Sequence, residues 1–349
     1  MKNFSTKKRL LASVAPALAV FAALFSSACD RVEQAELSPA DPISMVDPAT
    51  DLSAESVARM LSGLPLTLTQ VREVFDGVVS SSSNGYDEEY PFANLLASPG
   101  SGVGHELLQT RSVTEYPEPL RDLLSAADIA KTRAGSFLDA LSASGLQIYW
   151  PYSEDWDGKA MPVITFNPEE SSGDAYLRRQ DDSNVGFLRE QLPNGAWIVK
   201  EVTVDEEYAR NHPVWVINRN EDAAYLTPQM LDALYPERTV AVAVSTRSYE
   251  DCRTLVLKEF KAHRNYDSWL AGGSEFFVKC GSLNGFTAKT EEELKLYSPS
   301  VTDMMINVKR KNVGKTLRFN TVLVSEWTSQ LEECVFLMIE DDGGKQTSW

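Results

Sequence analysis

Asp87, Glu88 and Glu89 follow Gly85-Tyr86 and precede Tyr90. A second acidic group, Glu154, Asp155 and Asp157, lies among Trp150, Tyr152 and Trp156. Paired carboxylates do general acid and base work, and in glycoside hydrolysis they must face each other across the scissile bond. Aromatic rings beside such acids suit carbohydrate, because a flat ring stacks on the apolar face of a sugar. Glu88, Glu89, Trp150, Trp156 and Asp157 are therefore the candidate ligand-binding residues. The two groups can cooperate only if the fold brings them within about 10 Å, close to the roughly 6.5–9.5 Å of inverting enzymes. The competing reading is a solvated turn whose aromatics belong to the core.

Other stretches suggest chemistry less well. Gly100-Ser101-Gly102-Val103-Gly104-His105 is glycine-rich, but a phosphate loop should follow a strand and open a helix, and no Gly-Lys-Ser/Thr follows. His105-Glu106 begins like a metalloprotease helix, but position 109 is Gln. The whole chain holds three histidines, His105, His212 and His263, which suggests no zinc cluster. Gly-x-Ser-x-Gly, the nucleophile elbow of serine hydrolases, is absent. Asp341 and Asp342, at the end of an apolar run, are calcium candidates if they sit on a loop of a C2-type sandwich; a charged hairpin is the alternative. Trp269-Leu-Ala-Gly-Gly273 reads as a loop tip, with Trp269 either packed beneath it or exposed for binding. No catalytic residue and no cofactor follow from these patterns.

The N-terminus places the rest. Lys2, Lys7, Lys8 and Arg9 precede an uncharged apolar run from Leu10 to Phe25, then Ser26, Ser27, Ala28 and Cys29. A positive start, a short apolar core and a small-residue exit make a secretory signal. The run is shorter than the roughly 20 residues a spanning helix needs. Ser26-Ser27-Ala28-Cys29-Asp30 resembles the lipobox of Bacteroidetes lipoproteins, with Ser26 where Leu is usual. The resemblance implies a mature chain beginning at Cys29, carrying a thioether diacylglycerol and an acylated amine. Two or more acyl chains anchor a soluble body stably, where one does so only marginally. A plain signal peptide with Cys29 as a bystander is the alternative. The mature chain as a whole resembles surface lipoproteins of Bacteroidetes through Gly85-Tyr86-Asp87-Glu88-Glu89-Tyr90, Ile148-Tyr149-Trp150-Pro151-Tyr152 and Pro213-Val214-Trp215-Val216-Ile217-Asn218. That resemblance implies a location in the cell envelope, at the outer membrane or cell surface, and no chemistry.

Charge narrows the partners. Losing residues 1–28 removes four cations and no acid, leaving 29 Lys and Arg against 50 Asp and Glu, a net charge of −21. Nucleic acid is excluded as a partner on this balance, since it needs clustered cations. Anionic lipid would repel the body too, so membrane attachment must come through lipid on Cys29. An envelope protein or a glycan remains as partner. Beyond Cys29 the cysteines are Cys252, Cys280 and Cys334, spaced 28 and 54 residues apart. They allow one disulfide at most and match no zinc pattern.

The elements that must position the acids follow from periodicity. Residues 29–50, with Pro39, Pro42 and Pro48, read as a flexible tether. Residues 51–145 read as a helical region. Ser53 opens a helix carrying Val57, Met60 and Leu61 and stopped at Gly63, and Thr67 or Thr69 opens another with Val71, Val74, Phe75 and Val78 on one stripe, broken by Ser80-Ser81-Ser82-Ser83-Asn84-Gly85. Tyr90 to Leu96 suggests a short helix, Pro119 to Leu124 another, and Ile129 to Leu141 a third that ends at Gly145. Residues 146–238 read as strand-rich α+β, with half-buried strands at 146–150, 162–166, 196–204 and 213–217, a short helix or turn at 205–210, and a surface helix capped by Thr227. Residues 239–349 carry short strands at 239–245, 254–263, 275–281, 304–309, 315–324 and 333–339, the spacing of an antiparallel β-sandwich. The fold class expected is α+β: an N-terminal helical region, a central strand-rich region and a C-terminal antiparallel β-sandwich. Gly343-Gly344 reads as a hairpin turn, so Thr347 to Trp349 would begin a strand and the sandwich would be incomplete there. The functional expectation is a non-enzymatic cell-envelope lipoprotein that binds a partner through its β region; the alternative is a glycosidase-like envelope hydrolase using the paired carboxylates.

Overall fold

The computed structural model describes residues 52–97, 116–127, 137–168, 183–221, 225–234, 253–282, 303–327 and 334–340. The tether, Cys29, the glycine-rich stretch at 100–105, Cys252, Asp341 and Asp342 lie outside them, as does the strand expected at 239–245.

Two capped helices open the fold. Helix α1 (Ala54–Gly63) starts where the Ser53 side chain accepts from the Ser56 N–H at 3.2 Å. Its buried face is Ala54, Val57, Ala58 and Leu61. Helix α2 (Leu68–Ser83) opens with a reciprocal cap: Thr67 Oγ1 accepts from the Thr69 N–H at 3.2 Å and Gln70 Oε1 accepts from the Thr67 N–H at 2.8 Å. The serine run does not break it. Ser83 donates its hydroxyl back to the Val79 carbonyl at 2.8 Å, a bond compatible with continued helix. The chain turns only at Asn84-Gly85, where Gly85 takes φ +90°, which glycine adopts without a Cβ clash.

A six-stranded mixed sheet follows, in the order β1-β2-β6-β3-β4-β5. Its strands are β1 (Glu89–Pro91), β2 (Leu146–Tyr149), β3 (Val163–Phe166), β4 (Asn184–Gln191), β5 (Trp197–Val204) and β6 (Val214–Arg219). β6 and β3 run parallel; every other pairing in this sheet is antiparallel. Short helices α3 (Phe92–Leu95), α4 (Leu120–Ala126) and α5 (Glu206–Asn211) join or cover the strands, and residues 137–142 are helical. The stretch expected as one helix from Tyr90 is thus a three-residue strand running into one helical turn. β4 was not legible in the sequence. Its polar end, Arg189-Glu190-Gln191, interrupts the pattern, and Gly186 is required for packing: a Cβ there would stand 2.3 Å from Val204 Cγ2.

Both faces of the β2, β3 and β6 part of this sheet are covered, while most of β5 is exposed. On one, Leu146, Ile148, Trp150, Ile164, Phe166, Trp215 and Ile217 pack against α1, α2 and α4 in a single core. On the other, Tyr149, Val163, Val204, Val214 and Val216 meet Trp269 and Leu270. The half-buried alternation expected for 146–150 therefore gives way to burial at every position of β2, since strands between two covering layers carry apolar runs. The residues at 269–273 form the second layer rather than a free loop tip.

Helix α6 (Pro228–Leu234) buries Pro228, Met230 and Leu231, so it is not a bare surface helix. Beyond it stand two smaller sheets: β7 (Arg253–Phe260) with β10 (Leu317–Trp327), and β11 (Cys334–Glu340), β8 (Ser274–Ser282) and β9 (Asp303–Val308) in that order. Val278, Met304, Ile306, Val308 and Leu323 bury together with Leu231, and Leu255, Leu257 and Phe260 pack on them. In the β8–β11 ladder Cys280 lies opposite Phe336 and Cys334 opposite Ser282. The protein is α+β.

Candidate functional site

The stretches around Glu89, Tyr149 and Val216 are neighbours in space. Glu89 and Tyr90 of β1 pair with Tyr149 and Ile148 of β2, and those two pair with Val216 and Ile217 of β6. Glu88 immediately precedes β1, and its carbonyl accepts from the Trp150 N–H at 2.7 Å. That bond continues the β1–β2 ladder and delivers the 87–89 acids to the start of the turn at 151–155. The two acidic groups separated by more than 60 residues in the sequence thus meet.

They meet on a lysine. Lys311 Nζ lies 3.2 Å from Glu88 Oε1 and in close contact with Glu154 Oε1. Lys311 comes from the 3₁₀ turn Arg310–Asn312 just after β9. Asp87 is buried beside it. Its Oδ1 accepts from the Glu88 N–H at 2.8 Å and its Oδ2 from the Gly273 N–H at 2.6 Å. One side chain thereby ties β1 to the covering segment, and Gly273 is needed there because a Cβ would stand 2.7 Å from the Val308 carbonyl.

The electrostatics divide the two carboxyls. Burial raises Glu88, and the Asp87 charge and the hydrogen bond to Glu154 raise it further, to about 8. At neutral pH these effects favour the protonated form of Glu88. Burial alone would raise Glu154 as well, but the bond from Glu88 and the Lys311 ammonium outweigh it and hold Glu154 low. The pair keeps one proton and one negative charge, balanced by Lys311.

A second network lies next to it. Arg310 grips Glu206 with two bonds, Nε to Oε1 at 2.9 Å and Nη2 to Oε2 at 3.1 Å, and its Nη1 donates to the Asp267 and Gly272 carbonyls at 3.1 and 3.3 Å. Tyr152 donates its hydroxyl to Glu206 Oε1 at 2.6 Å, and Arg210 bonds both. Burial would raise Glu206; Arg310 and the Tyr152 hydroxyl hold it down, to about 2. Tyr152 has φ 58°, a left-handed conformation uncommon for a non-glycine residue, and these bonds fix it there. Tyr149 lies between the networks. Its hydroxyl is fully buried and has no hydrogen-bond partner among the described residues; burial and then Asp87 and Glu88 push its pKa well up.

The expected aromatics serve the core. Trp150 is 1 % exposed, with Trp156 at 5.3 Å, Phe75 at 5.9 Å and Trp215 at 5.9 Å between ring centroids. Trp156 is half-buried, donates to the Ala160 carbonyl at 2.9 Å, and has the Arg72 guanidinium 4.7 Å over its ring. Neither offers the bare ring face a sugar would need. Asp157 accepts from the Lys159 and Ala160 N–H groups at 2.8 and 2.9 Å, an Asx turn that holds it away from Glu88 and Glu154. Glu89 is buried in β1. Of the candidates, then, Glu88 reaches the cluster directly, and its partner is Glu154.

Compared with protein-family models, with curated proteins and with solved structures, the chain finds no match. The geometry stands by itself. Paired carboxylates acting on a glycosidic bond stand roughly 5–5.5 Å apart in retaining enzymes and further in inverting ones. Here one ammonium, Lys311, touches a carboxyl oxygen of each, with Glu88 4 % exposed. What the cluster can do chemically is hold a proton and cross-link the main sheet to the segment after β9. Lys311, Arg310 and Glu206 were missed from the sequence. One signal was available: Lys309-Arg310-Lys311 is the sole run of three cations after the N-terminal segment of a strongly acidic chain.

Proposed function

We propose that the protein is a lipid-anchored component of a bacterial cell envelope that works by binding a partner rather than by catalysis. The observation that carries this is the N-terminal sequence, a positive start, an uncharged apolar run and Ser-Ser-Ala-Cys29. The arrangement of the acids supports it: the carboxylates that a hydrolase would use, Glu88 and Glu154, are both engaged by Lys311. On this reading the anchor is lipid on Cys29, residues 29–50 are the tether, and the five strands β7–β11 are a sandwich presenting the binding surface. The partner is an envelope protein or a glycan.

The test is metabolic labelling with palmitate in a bacterial host, with intact mass, on wild type and Cys29→Ala. Label in the wild type alone supports the anchor. Equal absence of label from both proteins, with secretion into the medium, overturns it. Glycan arrays and pull-downs from envelope extracts test the binding half, which is lost if both are blank.

A further inference from the structure

A pocket of roughly 220 Å³ opens between the end of α2, the start of α6 and the strands β9 and β10. Its lining includes Lys309, Arg318, Asn307, Asn312, Gln229 and Phe319. The volume is below the roughly 300–1,000 Å³ of drug-sized sites and suits a single monosaccharide. The lining is chemically selective: two cations and no acid, in a chain with 50 acids and 33 cations. Three primary amides add both donors and acceptors, and Leu317, Phe319 and Ile306 supply an apolar wall.

The cation triplet explains why this lining is positive. Arg310 and Lys311 are spent inward, on Glu206 and on the Glu88–Glu154 pair. Lys309, the third, lines the pocket and makes no ion pair among the described residues. Arg318 meets Glu259 at 3.2 Å, with its side chain 79 % exposed, so that pair is weak and exchangeable. The distant acids do little against a bound anion, because at physiological ionic strength charges beyond about 8 Å are largely screened.

We propose that this pocket binds an acidic sugar unit of the hexuronate class, its carboxylate on Lys309 and Arg318, its hydroxyls on the amides and its apolar face on the Phe319 side. This rests on the binding reading above and gives it a ligand and a place. Nothing in it requires the buried carboxylates.

The experiment is titration calorimetry or ligand-observed NMR on the full chain in detergent, with methyl glucuronide and methyl galacturonide as probes. Methyl glucoside and sodium sulfate serve as controls. Expected is millimolar binding of a uronide, at least ten-fold weaker binding of methyl glucoside, and sulfate competing poorly. Lys309→Gln and Arg318→Gln should each weaken the uronide about ten-fold with melting temperature unchanged. No uronide binding at tens of millimolar overturns the proposal. So does equal binding of glucoside or of sulfate, or unchanged affinity in Lys309→Gln. If the wild type captures a polymer on the glycan array and Lys309→Gln captures it equally, the pocket assignment fails while the binding reading stands.

Discussion

Glu88→Gln isolates the proton that the Glu88–Glu154 pair holds. Glutamine keeps an oxygen for Lys311 and an N–H for Glu154, so it copies protonated Glu88 and cannot ionise. In the wild type, the folded-state pKa of Glu88 is raised from 4.5 to about 8. A raised acid binds more protons folded than unfolded, so its contribution is fully present below the unfolded pKa and is lost as pH rises through the folded one. In that window the slope is about 1.4 kcal/mol per pH unit. From pH 5 to 7.5 the wild type should therefore lose about 3 kcal/mol relative to Glu88→Gln, a fall of roughly 5–10 °C in melting temperature for a chain of this size. The assay is urea unfolding of both proteins at half-unit intervals from pH 5 to 8.5. An infrared carbonyl band of a protonated carboxyl at pH 7, present in wild type and absent from the variant, is the spectroscopic counterpart. Stability curves that stay parallel within about 0.5 kcal/mol across the range would refute the protonated state of Glu88.

Three further perturbations probe the same junction. Arg310→Ala leaves Glu206 without its two-pronged partner and should cost about 3 kcal/mol in chemical unfolding, with Arg310→Lys recovering little because a lysine cannot make the paired bonds. Gly273→Ala puts a Cβ 2.7 Å from the Val308 carbonyl and 3.1 Å from Asp87 Oδ2, and should cost about 1–3 kcal/mol by calorimetry. Tyr149→Phe removes a buried hydroxyl that has no partner among the described residues, so the melting temperature should hold or rise; a loss above about 1 kcal/mol would show that the hydroxyl is bonded.

Local structure was largely readable. Ser53 and Thr67 cap the helices they were expected to cap, because a side-chain oxygen two or three residues before a free N–H acts within one turn. The stretch at 205–210, expected as a short helix or turn, is helix α5, and Asp205 accepts from the Tyr208 N–H at 2.7 Å at its start. Strands β5 to β11 fall close to their expected stretches, since alternation and the flanking Gly, Pro and Asn are also local signals. The failures were tertiary. The serine run stayed helical, with the Ser83 hydroxyl on the Val79 carbonyl one turn back and Ser81 packed into the buried face of α2. The alternation in β2 disappeared because a segment more than 100 residues downstream covers its second face. Trp150 and Trp156, placed beside acids in the sequence, turned toward the helices.

The sequence alone determined the acidic balance, the capped helices and the mixture of helices and strands. Each follows from composition or from neighbours within a few residues. Only the tertiary structure decided which acids meet. Glu88 and Glu154 are brought together by the β1–β2 pairing, and Lys311 reaches them because β9 and the 269–273 segment dock on that end of the sheet. A carboxyl's charge state depends on what lies within a few ångströms of it and on how much water is excluded. Spacing along the chain records neither, and so only the fold shows that buried Glu88 and exposed Glu154 share the Lys311 ammonium.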